Sequence, residues 1–289
     1  MNRFDKHRIA ASFDRAADGY EERAVLQKTV TGRLIARLDL VTLKPGWVLD
    51  VGAGTGGSAR ALASRYRKAR VLQLDLSRRM LQISRRRGPW LFSRHHYFQA
   101  DAEALPIAAG AIDLVFSSLV LQWCNDLDRV FAESARVLAP NGLFIFATLG
   151  PDTLKELRTS WAAADGNIHV NTFFDMHDIG DAVVRAGLEG VVMDVEHVTM
   201  TYPDCLSLMH DLKSLGAHNM NEDRHRGLTG KTRFRAMQAA YEQYRHEGRL
   251  PSTYEIVYGH GWAPATGRQR RVGDAAYVPV EIVKGRRRN

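Results

Sequence analysis

The segment Val48-Leu-Asp-Val-Gly-Ala-Gly-Thr-Gly-Gly-Ser58 runs an apolar stretch straight into a cluster of glycines. Gly52, Gly54 and Gly56 allow a tight turn and leave no Cβ between backbone and ligand, and a helix opening near Ser58 would present unpaired N–H groups. That is chemistry for holding a nucleotide-type cofactor. Gly52, Gly54 and Gly57 also satisfy G-x-G-x-x-G, so the glycines by themselves fit a nicotinamide dinucleotide as well as S-adenosylmethionine. The next apolar run, residues 70–75, ends in Asp75, twenty-one residues beyond Gly54. A carboxylate at the carboxyl end of a neighbouring strand can accept both hydroxyls of an adenosine ribose. Tyr97-Phe-Gln-Ala-Asp101-Ala102 ends in a further acid, placed to receive an adenine amino group. Both cofactors carry adenosine, so these acids do not separate them.

The order of the motifs does. Asp50-x-Gly52-x-Gly54-x-Gly56, Asp75, Asp101-Ala102, Asp113-Leu-Val-Phe-Ser-Ser118 and Leu138-Ala-Pro-Asn-Gly142 follow one another over roughly residues 46 to 149. This run resembles that of class I S-adenosylmethionine-dependent methyltransferases. A dehydrogenase would require a second constellation such as Tyr-x-x-x-Lys, and the chain has none. On the resemblance, Gly52, Ala53, Gly54 and Gly56 line the methionine part of the cofactor, Asp75 and Leu76 its ribose, and Asp101 with Ala102 the adenine edge. Asp50 either anchors the glycine turn or meets the cofactor ammonium. Asp75 has a second reading as a cap on the helix after Ser77, and Leu119 and Gln122 either border the sulfonium or belong to the core. Tyr20 could shield the sulfonium by a cation–π contact or simply pack a lid onto the core.

Segments outside that core narrow the likeness. Ala10–Tyr20, Gly150–Leu157, His169–Ile179, Asp211–Asn219, Gly227–Lys231 and Thr253–His260 resemble the malonyl-acyl-carrier-protein O-methyltransferases of biotin synthesis, and the likeness then covers nearly the whole chain. It implies an α/β fold with a Rossmann-like seven-stranded sheet whose last strand is antiparallel, an N-terminal helical lid, and a helical cap inserted before the last strand. It also implies methyl transfer from S-adenosylmethionine to the carboxylate of a malonyl-phosphopantetheine arm on acyl-carrier protein. Another small carboxylic acid, or nucleic acid, is the alternative acceptor. A carboxylate with a pKa near 4 is already ionised at neutral pH and needs no general base, but inside an apolar pocket it needs a cation. Arg158 is the favoured candidate, with Lys155, His169, Lys213 and His218 behind it; a plain surface arginine is the competing reading of Arg158. His169 and His177 could suggest a metal pair, but no third ligand stands at a convincing spacing, so no metal is expected.

The elements that must position these residues follow from periodicity. Strands are expected at 47–51, 70–75, 96–100, 112–117, 142–148, 191–201 and 254–260, and helices at 57–67, 77–87, 127–138, 152–161 and 176–186. Alternating strands and helices imply a parallel sheet with helices on both faces. Residues 1–45 read as a helical lid, 46–201 as the cofactor-binding core, 202–252 as the cap, and 253–289 as the last strand with a basic tail. In the cap, Leu206, Met209, Leu212 and Leu215 keep helical spacing.

The 289 residues are 45% hydrophobic and carry a net charge of +8. No apolar stretch approaches the roughly 18 to 20 residues that cross a bilayer, and residues 1–18 lack the apolar middle of a secretion signal. A cytoplasmic protein with no membrane partner is expected, and two distant cysteines, Cys124 and Cys205, do not make a disulfide framework. The basic balance suits an acidic partner. Nucleic acid has no supporting motif here, whereas an acidic carrier protein is implied by the resemblance. Its patch could be Arg78 to Arg94, or Lys213, Arg224 and Arg226 in the cap; further basic clusters stand at 65–70, 268–271 and 284–288. The arginines of 78–87 otherwise read as the solvated face of a helix whose Leu76, Met80 and Ile83 point inward.

Overall fold

The computed structural model describes residues 4–89, 91, 93–216, 230–265, 271–272 and 275–276. His218, Arg224, Arg226, most of the 227–231 segment and the basic stretches 268–270 and 284–288 lie outside the described residues.

Seven strands form one sheet: β1 (Trp47–Val51), β2 (Arg70–Asp75), β3 (His95–Gln99), β4 (Ile112–Ser118), β5 (Leu138–Leu149), β6 (Glu189–Tyr202) and β7 (Leu250–Trp262). Their spatial order is β3-β2-β1-β4-β5-β7-β6. The first five are parallel to one another, and β7 runs antiparallel between β5 and β6. The chain therefore winds outward from β1, returns, and continues on the other side. This reversal opens a crevice at the carboxyl ends of β1 and β4, where ligands bind in such sheets.

The sheet's two faces sort the residues by the period-2 rule. Val48, Leu143, Ile145 and Ala147 enter one core, while Leu49, Val51, Phe144 and Phe146 enter the other. The helices are α1 (Lys6–Ala16), α2 (Tyr20–Arg23), α3 (Val25–Arg37), α4 (Gly57–Arg65), α5 (Arg78–Arg87), α6 (Leu127–Val137), α7 (Lys155–Ala162), α8 (Met176–Arg185), α9 (Cys205–Ser214) and α10 (Lys231–Glu242). α3, α4, α7 and α10 contribute to the first core, and α6 and α8 to the second. Side-chain caps start several helices where the sequence places Asp or Ser before an apolar run: Asp5 for α1, Ser77 for α5, Asp126 for α6 and Asp175 for α8. Each such cap is worth about 1 kcal/mol.

Two expectations change in detail. Within the segment read as a lid, α3 buries Leu26, Val30 and Leu34 in the main core, so the part that lies over the ligand crevice is α1, α2, the turn between them and only the first turn of α3, with Leu26 and Gln27. Along α9 and its C-cap, Met209, Leu212 and Leu215 pack inward as their spacing predicts, joined by the buried Cys205 and Leu208, whereas Leu206 is exposed. On α5, Met80 and Ile83 are buried and Arg85, Arg86 and Arg87 face outward.

Candidate active site

The crevice holds a cavity whose walls come from the glycine loop, the ends of β2, β4 and β5, the N-terminal helices, α9 and β7. Gly52 has φ +71°, and a Cβ on it would collide with Val120; its N–H donates to the Leu74 carbonyl at 2.7 Å, tying the loop to β2. Gly54 has φ +53° and open space where a Cβ would stand, on the cavity side. Both are left-handed conformations that glycine adopts without penalty.

Asp75 is the hinge of this arrangement. The Gly54 amide donates to Asp75 Oδ2 at 2.9 Å and the Ser77 amide to Oδ1 at 2.7 Å. The two readings of Asp75 thus coexist: it caps the turn into α5 and also faces the cavity. Burial pushes its pKa up to about 6, against the pull of the Ser77 and Gly54 N–H groups, with the nearby Asp14 charge adding to the rise. Asp50 is fully buried, accepts from Ser58 Oγ at 2.6 Å and does not border the cavity. Its contacts are those of a loop anchor, and burial raises its pKa to about 7. Gly52, Gly54, Asp75, Leu76, Asp101, Ala102, Leu119 and Gln122 all line the cavity. Ala53 and Gly56 stand outside it; Gly56 is the N-cap of α4 and packs so closely on Ser84 that a Cβ would clash.

The lid is latched along its length. The Phe4 N–H donates to Asn125 Oδ1 at 2.7 Å, and Asn125 Nδ2 donates back to the Phe4 carbonyl at 3.0 Å. Lys6 bridges Asp101 at 3.2 Å and Glu103 at 2.6 Å. Asp14 Oδ1 accepts from Ser77 Oγ at 2.6 Å and from the Arg79 N–H at 2.9 Å, Asp18 pairs with Arg79 at 2.8 Å, and Glu21 pairs with Arg60 and Arg87. Beneath these contacts the Phe13 ring meets Trp123 edge-on at 5.6 Å. Tyr20 lines the cavity, its hydroxyl pushed above the usual phenol range by burial and by the Asp75 charge.

Two further lining residues hold strained backbone: Leu119 at φ +56° and Leu154 at φ +57°. Left-handed leucine costs roughly 1–2 kcal/mol, and here the surroundings impose it. The Leu119 N–H is held by the Ala147 carbonyl at 2.8 Å and the Leu154 N–H by Thr253 at 2.7 Å.

A family model described as a methyltransferase domain matches residues 49–146. A putative methyltransferase from Bacillus halodurans, 15% identical, shares the fold with a TM-score of 0.57 over 82% of this chain and 99% of its own. The chain is 51% identical over 277 residues to the malonyl-acyl-carrier-protein O-methyltransferase of Laribacter hongkongensis, covering 93% of each, and 50% identical over 268 residues to that of a Methylovorus species, covering 90% of each. This chain belongs to the malonyl-acyl-carrier-protein O-methyltransferase family.

As a member of that family it should hold an acceptor carboxylate, yet of the cations named for it from sequence, those among the described residues do not reach the cavity, and His218 lies outside them. Arg158 stands behind the wall: its Nη2 donates to the carbonyl of Thr153 at 2.7 Å, and it is Thr153 that lines the cavity. His169 is stacked on Trp161 at 3.7 Å between ring centres and hydrogen-bonded through Nε2 to Asp165 at 2.8 Å. Lys213 is exposed near the end of α9 and borders neither the cavity nor the groove beside it. Lys155 is exposed and paired with Asp152. His177 is exposed and bonded to Asp175, while His169 is bonded to Asp165, and the two share no group of metal-ligating atoms among the described residues. Among the described residues one trio could bring metal-ligating atoms together, Asp152, His197 and Glu255, but Lys155 Nζ already sits 3.0 Å from Asp152 Oδ2.

Sequence reasoning missed Lys6, Arg23, Gln27, Met80, Trp123, Asn171, Phe173, Asp211 and Tyr254 as wall residues. Asn171, Phe173 and Tyr254 lie in segments that carried the family resemblance, so that signal reached the right stretches and the wrong side chains.

Proposed function

We propose that this chain transfers a methyl group from S-adenosylmethionine to the free carboxylate of malonyl-acyl-carrier protein, giving the malonyl methyl ester that, on the sequence resemblance, starts pimeloyl formation in biotin synthesis. The observation that carries the reading is identity at about half of all positions over nine-tenths of both chains with relatives of that name. The cavity suits the cofactor. Gly54 leaves room for it, Asp75 keeps lone pairs free for ribose hydroxyls beyond the two N–H groups it already accepts, and Asp101 with Ala102 offers an edge for adenine.

The bound cofactor supplies an electrophilic methyl group on a sulfonium. The chain's own residues then align and dry the site. Phe13, Leu26, Met80, Trp123 and Leu149 make the cavity wall predominantly apolar, and the latched lid keeps water out. Holding acceptor and donor in line is the proximity contribution to catalysis. Tyr20 remains a neutral phenol whose ring can face the sulfonium, and Cys124, pushed up to about 12 by burial, remains a thiol. Neither acts as a base, and the ionised acceptor needs none.

The partner in this reading is an acidic carrier protein delivering its acyl group on a phosphopantetheine arm, and the outward arginines of α5 are one surface for it, two of them, Arg79 and Arg87, being already engaged by lid acids. Among the described residues no helix is long and apolar enough to cross a membrane. Both cysteines are free and buried, which suits the reducing cytoplasm we assign to the reaction.

The test is label transfer from methyl-labelled S-adenosylmethionine to malonyl-acyl-carrier protein, acetyl-acyl-carrier protein and malonyl-coenzyme A, scored as base-labile ester. Label on the malonyl but not the acetyl carrier supports the reading; no label on any acceptor, with cofactor binding intact, refutes it.

A further inference from the structure

An acceptor carboxylate entering this cavity meets Asp75, Asp101 and Asp211 in its walls, so a cation must offset them. Among the described residues two cations line the cavity, Lys6 and Arg23. Lys6 is committed to Asp101 and Glu103. Arg23, the last residue of α2, makes no ion pair among the described residues. Its guanidinium lies against the turn before Tyr20: a Cβ on Gly19 would stand 3.1 to 3.3 Å from its Nη1, Cζ and Nη2 atoms. The bare glycine gives the group its berth.

Arg23 also borders a second, more open groove walled by Val25, Tyr202, Leu206, His210 and Asp211. Arg23, Met200 and Asp211 are common to groove and cavity. The guanidinium therefore stands where an extended acyl arm would pass from solvent to the methyl donor. Two of the amide side chains in the cavity wall, Gln27 and Asn171, have their Oε1 and Oδ1 atoms buried with no hydrogen-bond partner among the described residues. Asn171 is only 6% exposed. Buried polar side chains are nearly always paired, so an orphaned pair facing one cavity points to a ligand that pairs them. A pantetheine arm has the matching donors, two amide N–H groups that can meet the two orphaned amide oxygens.

We propose that Arg23 holds the acceptor carboxylate, that Asn171 and Gln27 pair with polar groups of the same acyl-pantetheine unit, and that the groove beside Arg23 admits the arm. This rests on the methyl-transfer reading above. The planar guanidinium can grip one edge of the carboxylate and leave the remaining lone pairs free to attack. Arg23 thus sets specificity for an acyl chain that ends in a carboxylate.

The experiment measures binding of malonyl-pantetheine and acetyl-pantetheine to the full-length protein saturated with S-adenosylhomocysteine, alongside turnover of malonyl-acyl-carrier protein. Wild type should prefer the malonyl thioester by tenfold or more, an effect of about the size expected for a charge-assisted bidentate pair. Arg23→Gln should abolish the preference and raise KM far more than it lowers kcat, Arg23→Lys should restore part of it, and Asn171→Ala should weaken both thioesters alike. Cofactor affinity should stay unchanged in all three. If Arg23→Gln methylates the malonyl carrier as wild type does, the inference is overturned while the methyl-transfer reading stands. If wild type prefers malonyl-pantetheine but transfers no methyl group, the converse holds. No preference in wild type overturns the assignment of Arg23 outright. Should Arg23→Gln fail to fold, Gly19→Val, which crowds the guanidinium without deleting it, must reduce the preference, and an undiminished preference there counts against Arg23.

Discussion

The amide of Gly54 donates to Asp75 Oδ2 at 2.9 Å, so the loop after β1 and the acid that ends β2 form one unit before any ligand arrives. Ser77 holds the other oxygen at 2.7 Å, and the carboxylate is therefore presented to the cavity in a single orientation. Asn in its place can accept from only one of these amides, because its NH2 group meets the other N–H head-on. Asp75→Asn should weaken S-adenosylmethionine binding about 10- to 100-fold, the span expected for lost hydrogen bonds to a charged group. Calorimetric titration of the two proteins checks it, and equal affinities would remove Asp75 from the ribose site.

The same carboxylate makes binding sensitive to acid. Its free-protein pKa is raised to about 6, and ribose hydroxyls favour the ionised form. Below about pH 6 the cofactor must first displace a proton, so affinity should fall as pH drops from 7 to 5 and stay level above 7. In Asp75→Asn the profile should be flat over that window. A wild-type profile that is also flat would show that Asp75 is not the titrating group.

Asp50 predicts a stability effect of the opposite sign from a carboxylate held ionised by a salt bridge. Its folded pKa of about 7 lies above the ordinary 3.8, so the folded state holds the proton more tightly than the unfolded chain. By linkage its contribution to stability is fullest below pH 4 and is lost as pH rises through about 7. Asn keeps an acceptor for Ser58 Oγ and carries no charge. Asp50→Asn should therefore gain thermal stability relative to wild type between pH 5 and pH 8, as read by melting curves at both values. If the difference in Tm is the same at the two pH values, the carboxyl is not protonated in the folded protein.

The lid latch should govern release of the cofactor more than its chemistry. Asp14 takes two hydrogen bonds from the start of α5, at Ser77 Oγ and the Arg79 N–H. Asp14→Ala should speed S-adenosylhomocysteine release roughly tenfold, the equivalent of one or two hydrogen bonds lost, while the rate of a single turnover on preloaded enzyme changes little. Stopped-flow release and single-turnover labelling separate the two; an unchanged release rate would mean the lid does not have to open there.

At Leu154 backbone and side chain can be told apart. Its φ of +57° suits glycine and penalises every other residue. Leu154→Gly and Leu154→Ala both lose a buried side chain, but only Gly relieves the strain. The alanine variant should therefore be less stable than the glycine variant by about 1 kcal/mol, the reverse of the usual order in a folded chain. Denaturant midpoints of the two proteins decide it.

The parts of this protein that sequence determined are those in which covalent neighbourhood does the positioning. A strand followed by glycines must deliver its turn to the end of a sheet, and an acid that closes the next strand must stand beside it. Gly52, Gly54, Asp75, Asp101 and Ala102 accordingly stood in the sequence much as they stand in the cavity. The strand expected at 142–148 likewise forms, and its period-2 alternation sends Leu143 and Ile145 to one core and Phe144 and Phe146 to the other. Tertiary structure decided everything that depends on which way a helix is rotated and on what comes back from far along the chain. Arg158 and Thr153 lie five residues apart, yet only Thr153 reaches the wall, because α7 turns the arginine to the rear, where its guanidinium bonds the Thr153 carbonyl. Lys6 meets Asp101 across 95 residues of chain, and Arg23 from α2, Asn171 from the loop before α8 and Asp211 from α9 come to one cavity. Such meetings are set by the packing of whole faces, α3 against the sheet and α1 across its end, and no local run of residues encodes them.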